Sequence, residues 1–180
     1  MDYSNILQKR RALRIDGYKT LADIGMDVDR ISPIQLSSCS LTGPCLIGHY
    51  WWDEENLPND ISQLREIGYL PNIPFNKVIN EALKTANLGR DQVYITQAFH
   101  LIPLRPPNKI PTAHIDKSFR EVTSYEVRGR NVIALGSVAA DACNRHGVQA
   151  QRICSPSSRY SVEYKVKTLA DALQIAAGAS

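Results

Sequence analysis

The sequence predicts an α/β protein, a three-layer α/β/α sandwich built on a central four-stranded parallel sheet. Three observations predict it. Four short runs, Cys45–Gly48, Val93–Phe99, Asn131–Gly136 and Val148–Cys154, have buried-strand character. Segments with helical spacing lie between them, and strands alternating with helices imply crossover connections and a sheet covered on both faces. The length of 180 residues suits one domain over 1–180, large enough to bury roughly two-thirds of the surface exposed when unfolded.

The elements follow in chain order. Ser4 is positioned to cap a first helix carrying the basic cluster Lys9, Arg10, Arg11 and Arg14. A second short helix is expected over Thr20 to Met26, then an irregular connector from Ser32 to Pro44, rich in Ser, Pro and Gly. After the first strand, Phe75, Val78, Ile79, Ala82, Leu83 and Ala86 recur at the three-and-four interval of one apolar helix face. Thr112 to Tyr125 reads as a helix opened by a capping Thr, with Ile115, Phe119 and Val122 on one side. Ser137 is expected to cap a helix that Gly147 ends after Arg145 and His146. A final helix runs from near Val162 to Ala176.

Composition bounds the function. The chain is 43% hydrophobic and 22% charged, ordinary for a globular protein. No apolar run approaches the ~18 residues of a membrane span. The opening MDYSNILQKRR has no signal-peptide core, so a cytoplasmic protein is expected. The net charge of +3 is uneven: residues 101–180 carry eleven Lys/Arg against six Asp/Glu, residues 1–100 ten against twelve. A basic C-terminal half suits a polyanion, whose counterions are released on binding, and it equally suits an ordinary solvated surface. Cys39, Cys45, Cys143 and Cys154 form no Cys-x-x-Cys pair, which argues for reduced cysteines rather than a metal site.

In open α/β sheets ligands bind beyond the carboxyl ends of the strands, and three of those loops are chemically unusual here. The first reads Gly48-His49-Tyr50-Trp51-Trp52-Asp53-Glu54-Glu55, a run of aromatic, His and acidic residues that is hard to bury together and suits a wet cleft. The second strand, Val93-Tyr94-Ile95-Thr96-Gln97-Ala98-Phe99-His100, carries Gln97 in an otherwise apolar stretch. A carboxamide offers a donor and an acceptor, matching the edge of a nucleobase; bonding to neighbouring backbone is the competing reading. The last strand runs into Ser155-Pro156-Ser157-Ser158-Arg159, either a phosphate cradle or a capped turn before the final helix.

Taken together and in order, these motifs resemble the uracil-DNA glycosylase superfamily over roughly Pro44 to Leu173. Gly48-His49-Tyr50 stands where the family has its Gly-led first loop. Pro74-Phe75 matches the Pro-Phe whose ring stacks on uracil. Val93-Tyr94-Ile95-Thr96-Gln97 matches a segment ending in a base-reading Asn, and Arg105-Pro106-Pro107 an Arg-Pro-Pro shifted by three residues. Leu135-Gly136-Ser137-Val138-Ala139 matches the helix start, and Ser155-Pro156-Ser157 approximates the final His-Pro-Ser.

Departures stand beside the matches. The first loop lacks the usual water-polarising Asp, Glu or Asn at its His49 and Tyr50 positions, Gln97 replaces Asn, and Ser155 replaces the catalytic His. Leu101 stands where the cluster-bearing branches have Cys, so no iron–sulfur cluster and no other cofactor is expected.

The resemblance implies a monofunctional DNA glycosylase, acting as a monomer on flipped-out uracil, with other deaminated bases as further candidates, in nucleoid DNA and leaving an abasic site. Tyr50, Phe75 and Gln97 are implied to bind the base. Asp53, less so Glu54, is implied to orient water, and His49 or His100 to donate to the departing base. Ser155, Ser157, Ser158 and Arg159 are implied to grip the strand. A non-catalytic binder of uracil-containing or abasic DNA is the alternative, and an unrelated small-molecule hydrolase a third.

Overall fold

The computed structural model describes residues 2–58, 61–105 and 110–178 and is α/β as expected. Its elements are α1 (Tyr3–Ala12), β1 (Tyr18–Lys19), β2 (Cys45–Tyr50), α2 (Ser62–Ile67), α3 (Pro74–Thr85), β3 (Tyr94–Phe99), β4 (Ile102–Pro103), α4 (Thr112–Ser118), α5 (Ser124–Glu126), β5 (Val132–Leu135), α6 (Ser137–Arg145), β6 (Ala150–Ile153) and α7 (Val162–Gly178). Strands β2, β3, β5 and β6 form one parallel sheet in the order β3-β2-β5-β6, while β1 and β4 make a small antiparallel pair.

Side chains of successive strand residues point to opposite faces, and β2 shows the consequence. Cys45 and Ile47 join a core with Ile115, Phe119, Ala139 and Cys143 from α4, the turn after it, and α6. Leu46, between them, packs with Ile79 and Leu83 of α3 and Leu169 and Leu173 of α7. A strand covered on both faces must be apolar throughout, which is why these runs were visible in the sequence. Strand β6 lies at the sheet edge and is only half covered, so it reads Ala-Gln-Arg-Ile.

Several boundaries differ from expectation. Strand β2 continues two residues past Gly48 to Tyr50, and β6 is shorter than Val148–Cys154. Thr20–Met26 is a series of turns, not a helix. The Thr20 amide and hydroxyl both donate to Asp23 Oδ2 at 2.8 Å, closing a local loop, and Gly25 at φ +69° turns the chain away. The first helix is capped by Asp2, which accepts from the Asn5 amide, rather than by Ser4. Pro111 and Gly136, not Thr112 and Ser137, hold the cap positions of α4 and α6. Gly147, at φ +68°, lies just past α6 as expected.

Two features were not anticipated. A 3₁₀ turn at Pro33–Leu36 interrupts the Ser32–Pro44 connector and buries Gln35. Between α4 and α5 the chain widens into a π-helical turn, Phe119–Thr123, so that the rod reaches Glu126. None of the helices among the described residues is long and apolar enough to cross a membrane.

Candidate functional site

The connection leaving β2 crosses to β3 on one side, while the next strands, β5 and β6, lie on the other. Such a reversal opens a crevice at the carboxyl ends of the strands. Register deepens it: β5 pairs with β2 only as far as Ile47, whereas β3 stays paired through Tyr50 and Phe99. The end of β2 therefore projects past β5. A cavity of about 410 Å³ opens there, within the range of small-molecule sites.

The cleft gathers His49, Tyr50 and Asp53 from β2 and its loop, Phe75 from α3, Gln97 from β3, and Ser155 and Ser157 from the turn after β6. Pro74 stands at the first position of α3, where its fixed φ suits a helix start. Phe75 thus falls at the strand ends. Its ring tip lies 3.9 Å from the place a Cβ would take on Gly48, so the bare glycine leaves room beside the ring.

Gln97 is the register partner of Gly48 on the neighbouring strand. Its residue is 4% exposed, yet among the described residues its side-chain amide makes no hydrogen bond. Its amide atoms are not sealed from solvent, so the cleft is where they find partners. A nearly buried amide whose donors and acceptor no described protein group takes is open to a ligand at the cavity wall.

His49 contributes a second open group. Its Nε2 is buried without a partner among the described residues, and burial pushes the ring down to about 4, so it is neutral at pH 7. The ring meets Tyr50 edge-on at 4.8 Å. Burial first, and the nearby Asp53 charge second, push the Tyr50 hydroxyl up. Asp53 is 7% exposed, and its Oδ1 accepts from the Asn56 amide nitrogen at 3.0 Å and its side chain at 2.8 Å. The other carboxylate oxygen takes no hydrogen bond among the described residues. Trp51 is tied down through its Nε1, which donates to Gly68 O at 3.0 Å.

Other expected site residues lie elsewhere. His100 does not line this cleft; it is 6% exposed and built into a buried network on the other face of β3. Ser158 lines a neighbouring groove, and Arg159 is exposed outside both. Arg105 is described, but Pro106 and Pro107 lie outside the described residues. Within the basic cluster, Arg10 pairs with Asp27 at 2.6 Å and Arg11 with Asp27 and Asp29, while Lys9 lies over the Tyr125 ring and Arg14 donates to backbone carbonyls. Arg10 and Arg11 are thus committed within the fold.

That buried network centres on Glu126, which is 0% exposed. Tyr94 donates to Oε1 at 2.7 Å and Gln35 at 3.0 Å, Thr96 donates to Oε2 at 2.8 Å, and His100 Nε2 lies 3.2 Å from the same oxygen. Burial works to raise the carboxyl, but these donors outweigh it and hold Glu126 below its ordinary value. Thr123 gives its only hydroxyl hydrogen to Gln97 O at 2.7 Å, so toward His100 Nε2 at 3.1 Å its oxygen accepts. His100 therefore carries its hydrogen on Nε2.

Asn76 was not anticipated. It lines the cleft at 3% exposure, donates to Leu70 O and accepts from Arg90, whose guanidinium stacks on Tyr69 at 3.6 Å. The sequence held one weak signal for it, a polar residue beside Phe75 at the start of an apolar helix face. Glu126 had a stronger one: it follows Phe119 and Val122 on the same helical stripe, where an acid is out of place.

No family model matches the chain, and no curated protein matches it at a significant level.

Proposed function

We propose that the cleft receives a nucleobase extruded from DNA and that the protein hydrolyses its N-glycosidic bond, uracil being the simplest substrate. One observation carries the reading: the Phe75 ring and the unpaired Gln97 amide line the same cavity at the ends of adjoining elements. A flat ring for stacking and a donor–acceptor pair for an edge are what a pyrimidine requires. The Gln97 nitrogen donates to O4 and its oxygen accepts from N3–H.

Hydrolysis breaks the bond between C1′ and N1, the electron pair leaving with the base as positive charge develops on the sugar. Water adds at C1′ and gives up one proton, and the departing base takes one. Asp53 would orient that water through its free oxygen. His49, neutral and with an unpartnered Nε2, would donate a hydrogen bond to the base. The reading implies a cofactor-free enzyme acting on nucleoid DNA as a monomer.

A second reading is favoured by one feature. Asp53 is the carboxylate lining the cleft, and half of it is committed to Asn56. A site so held could bind uracil-containing or abasic DNA without cutting. Single-turnover incubation with a uracil-containing oligonucleotide separates the two. Free uracil and alkali-labile strands support the enzyme, a mobility shift without base release supports the binder, and neither outcome sinks both.

A further inference from the structure

A second depression opens on the other side of the Ser155 turn. It measures about 730 Å³ and runs along the bare edge of β6, with Ser155 lining both it and the cleft. Ser155 therefore stands between the two. Its wall carries Tyr160 and Tyr164, 61% and 50% exposed, with ring centroids 5.1 Å apart at a tilt of 42°. Soluble surfaces scatter large apolar side chains singly, so a pair of exposed rings beside a groove, with Val162 between them at 60% exposure, is unusual.

The geometry has a local cause. Ser161 caps α7 by accepting from the Tyr164 amide at 3.2 Å, and the Lys165 ammonium donates to Ser158 O at 3.1 Å. These bonds fasten the turn to the helix on either side of Tyr160. Arg152 on β6 and Arg159 in the turn are exposed, and neither has a carboxylate within ion-pair distance among the described residues. Asp171 also lines the groove, but its carboxylate is engaged by Lys167 at 3.0 Å.

We infer that this groove is a track for single-stranded nucleic acid, with Tyr160 and Tyr164 as a stacking platform for bases flanking the one held in the cleft. The inference deepens the proposed function and rests on it for the identity of the strand as DNA. Aromatic rings exposed on a groove lined by the uncompensated Arg152, with Arg159 exposed just outside it, meet both demands of a single strand, whose bases are free to stack and whose phosphates need cations. A duplex offers no unstacked face to the two rings.

The test is fluorescence anisotropy with an undamaged oligothymidylate, alone and annealed to its complement, against the full chain. Repeating the titration with Gln97→Ala keeps the edge-reading amide out of the measurement. The wild type should bind the single strand more tightly than the duplex. Tyr160→Ala with Tyr164→Ala should weaken single-strand binding at least tenfold, and Tyr160→Phe with Tyr164→Phe should retain it. Arg152→Ala should lower the salt slope by about 0.7, the value of one single-strand phosphate contact. Equal affinity of the alanine pair and the wild type, or equal affinity for strand and duplex, overturns the inference.

Binding of free uracil to the wild type and to Gln97→Ala, measured alongside by calorimetry, reads the cleft separately. Uracil bound through Gln97 with strand affinity indifferent to the tyrosines leaves the cleft reading standing and removes the track. The reverse pattern does the opposite.

Discussion

The hydroxyl of Thr123 donates a 2.7 Å hydrogen bond to the backbone carbonyl of Gln97. This joins the π-helical turn behind β3 to the residue whose amide lines the cleft in front of it. A π turn inserts one extra residue per turn, and here it brings Thr123 and Glu126 against the same strand. Thr123→Val keeps the shape and removes the donor. It should cost about 1–3 kcal/mol in urea unfolding and weaken base binding in proportion to any shift of Gln97. A variant as stable as the parent would show that the bond contributes nothing.

Gln97→Ala removes the amide and leaves the strand. Base binding or base release should fall by roughly tenfold or more, the worth of one or two hydrogen bonds, while affinity for undamaged strand stays. Phe75→Ala should give a loss of similar size without moving the preference between uracil and other bases. Equal effects of both changes on uracil and cytosine, whose edges differ, would contradict the edge-reading assignment.

Gly48→Ala is a finer probe. The added methyl meets Thr96 O at 3.7 Å and Phe75 Cζ at 3.9 Å, ordinary contacts that leave the fold undisturbed. It does occupy the space beside the ring. Stability should change by less than about 1 kcal/mol while base affinity drops, which calorimetry with free uracil reads directly.

Asp53→Asn should slow base release while strand binding persists, in single-turnover kinetics. The variant keeps Oδ1 for the Asn56 turn and loses only charge. Cleavage at the parental rate would move the water-orienting role elsewhere.

The half-buried His49 and the buried Glu126 both contribute to the acid behaviour. His49 titrates near 6.5 in the unfolded chain and about 4 in the fold, so the unfolded state binds more protons between those values. Its contribution to stability is complete above about pH 6.5 and is lost on acidification toward pH 4. Glu126 is depressed from its ordinary value near 4.5, so its contribution holds above that value and disappears below it. The unfolding midpoint should therefore fall in two stages as pH drops. His49→Gln should flatten the upper stage and leave the lower one, in denaturation curves collected from pH 7 to 3.

The layers of the fold were legible because both faces of β2, β3 and β5 are covered, and a doubly covered strand leaves an unbroken apolar run. Of the pocket pair, Gln97 stood out as a polar residue in an apolar strand, whereas Phe75 fitted the apolar face of its helix and was singled out through the Pro74-Phe75 resemblance. His100 misled. Adjacent in sequence to the site strand, it lies past the end of β3 and turns to the opposite face, a matter of tertiary packing that no local pattern carries. The network around Glu126 was hidden because its partners Gln35, Tyr94, Thr96 and His100 lie 26 to 91 residues before it and meet it only in the folded packing. The turns at Thr20–Met26 escaped because Thr20 and Asp23 satisfy each other in a loop as readily as they would cap a helix.

Strand β3 is an outer strand, and an outer strand normally presents a free row of amides and carbonyls. Here the segment 38–40 lies along it: Ile95 N donates to Ser38 O at 3.1 Å, Ser40 N to Val93 O at 3.0 Å, and Gln35 Nε2 to Ile95 O at 3.2 Å. Residues 35–40 thus cover part of that edge. A shortened protein starting after Ser40 would keep every strand of the sheet and every wall residue contributed by β2, β3 and α3. It would also offer a naked, largely apolar ribbon to its neighbours, and it should be lost to precipitation before its chemistry could be measured.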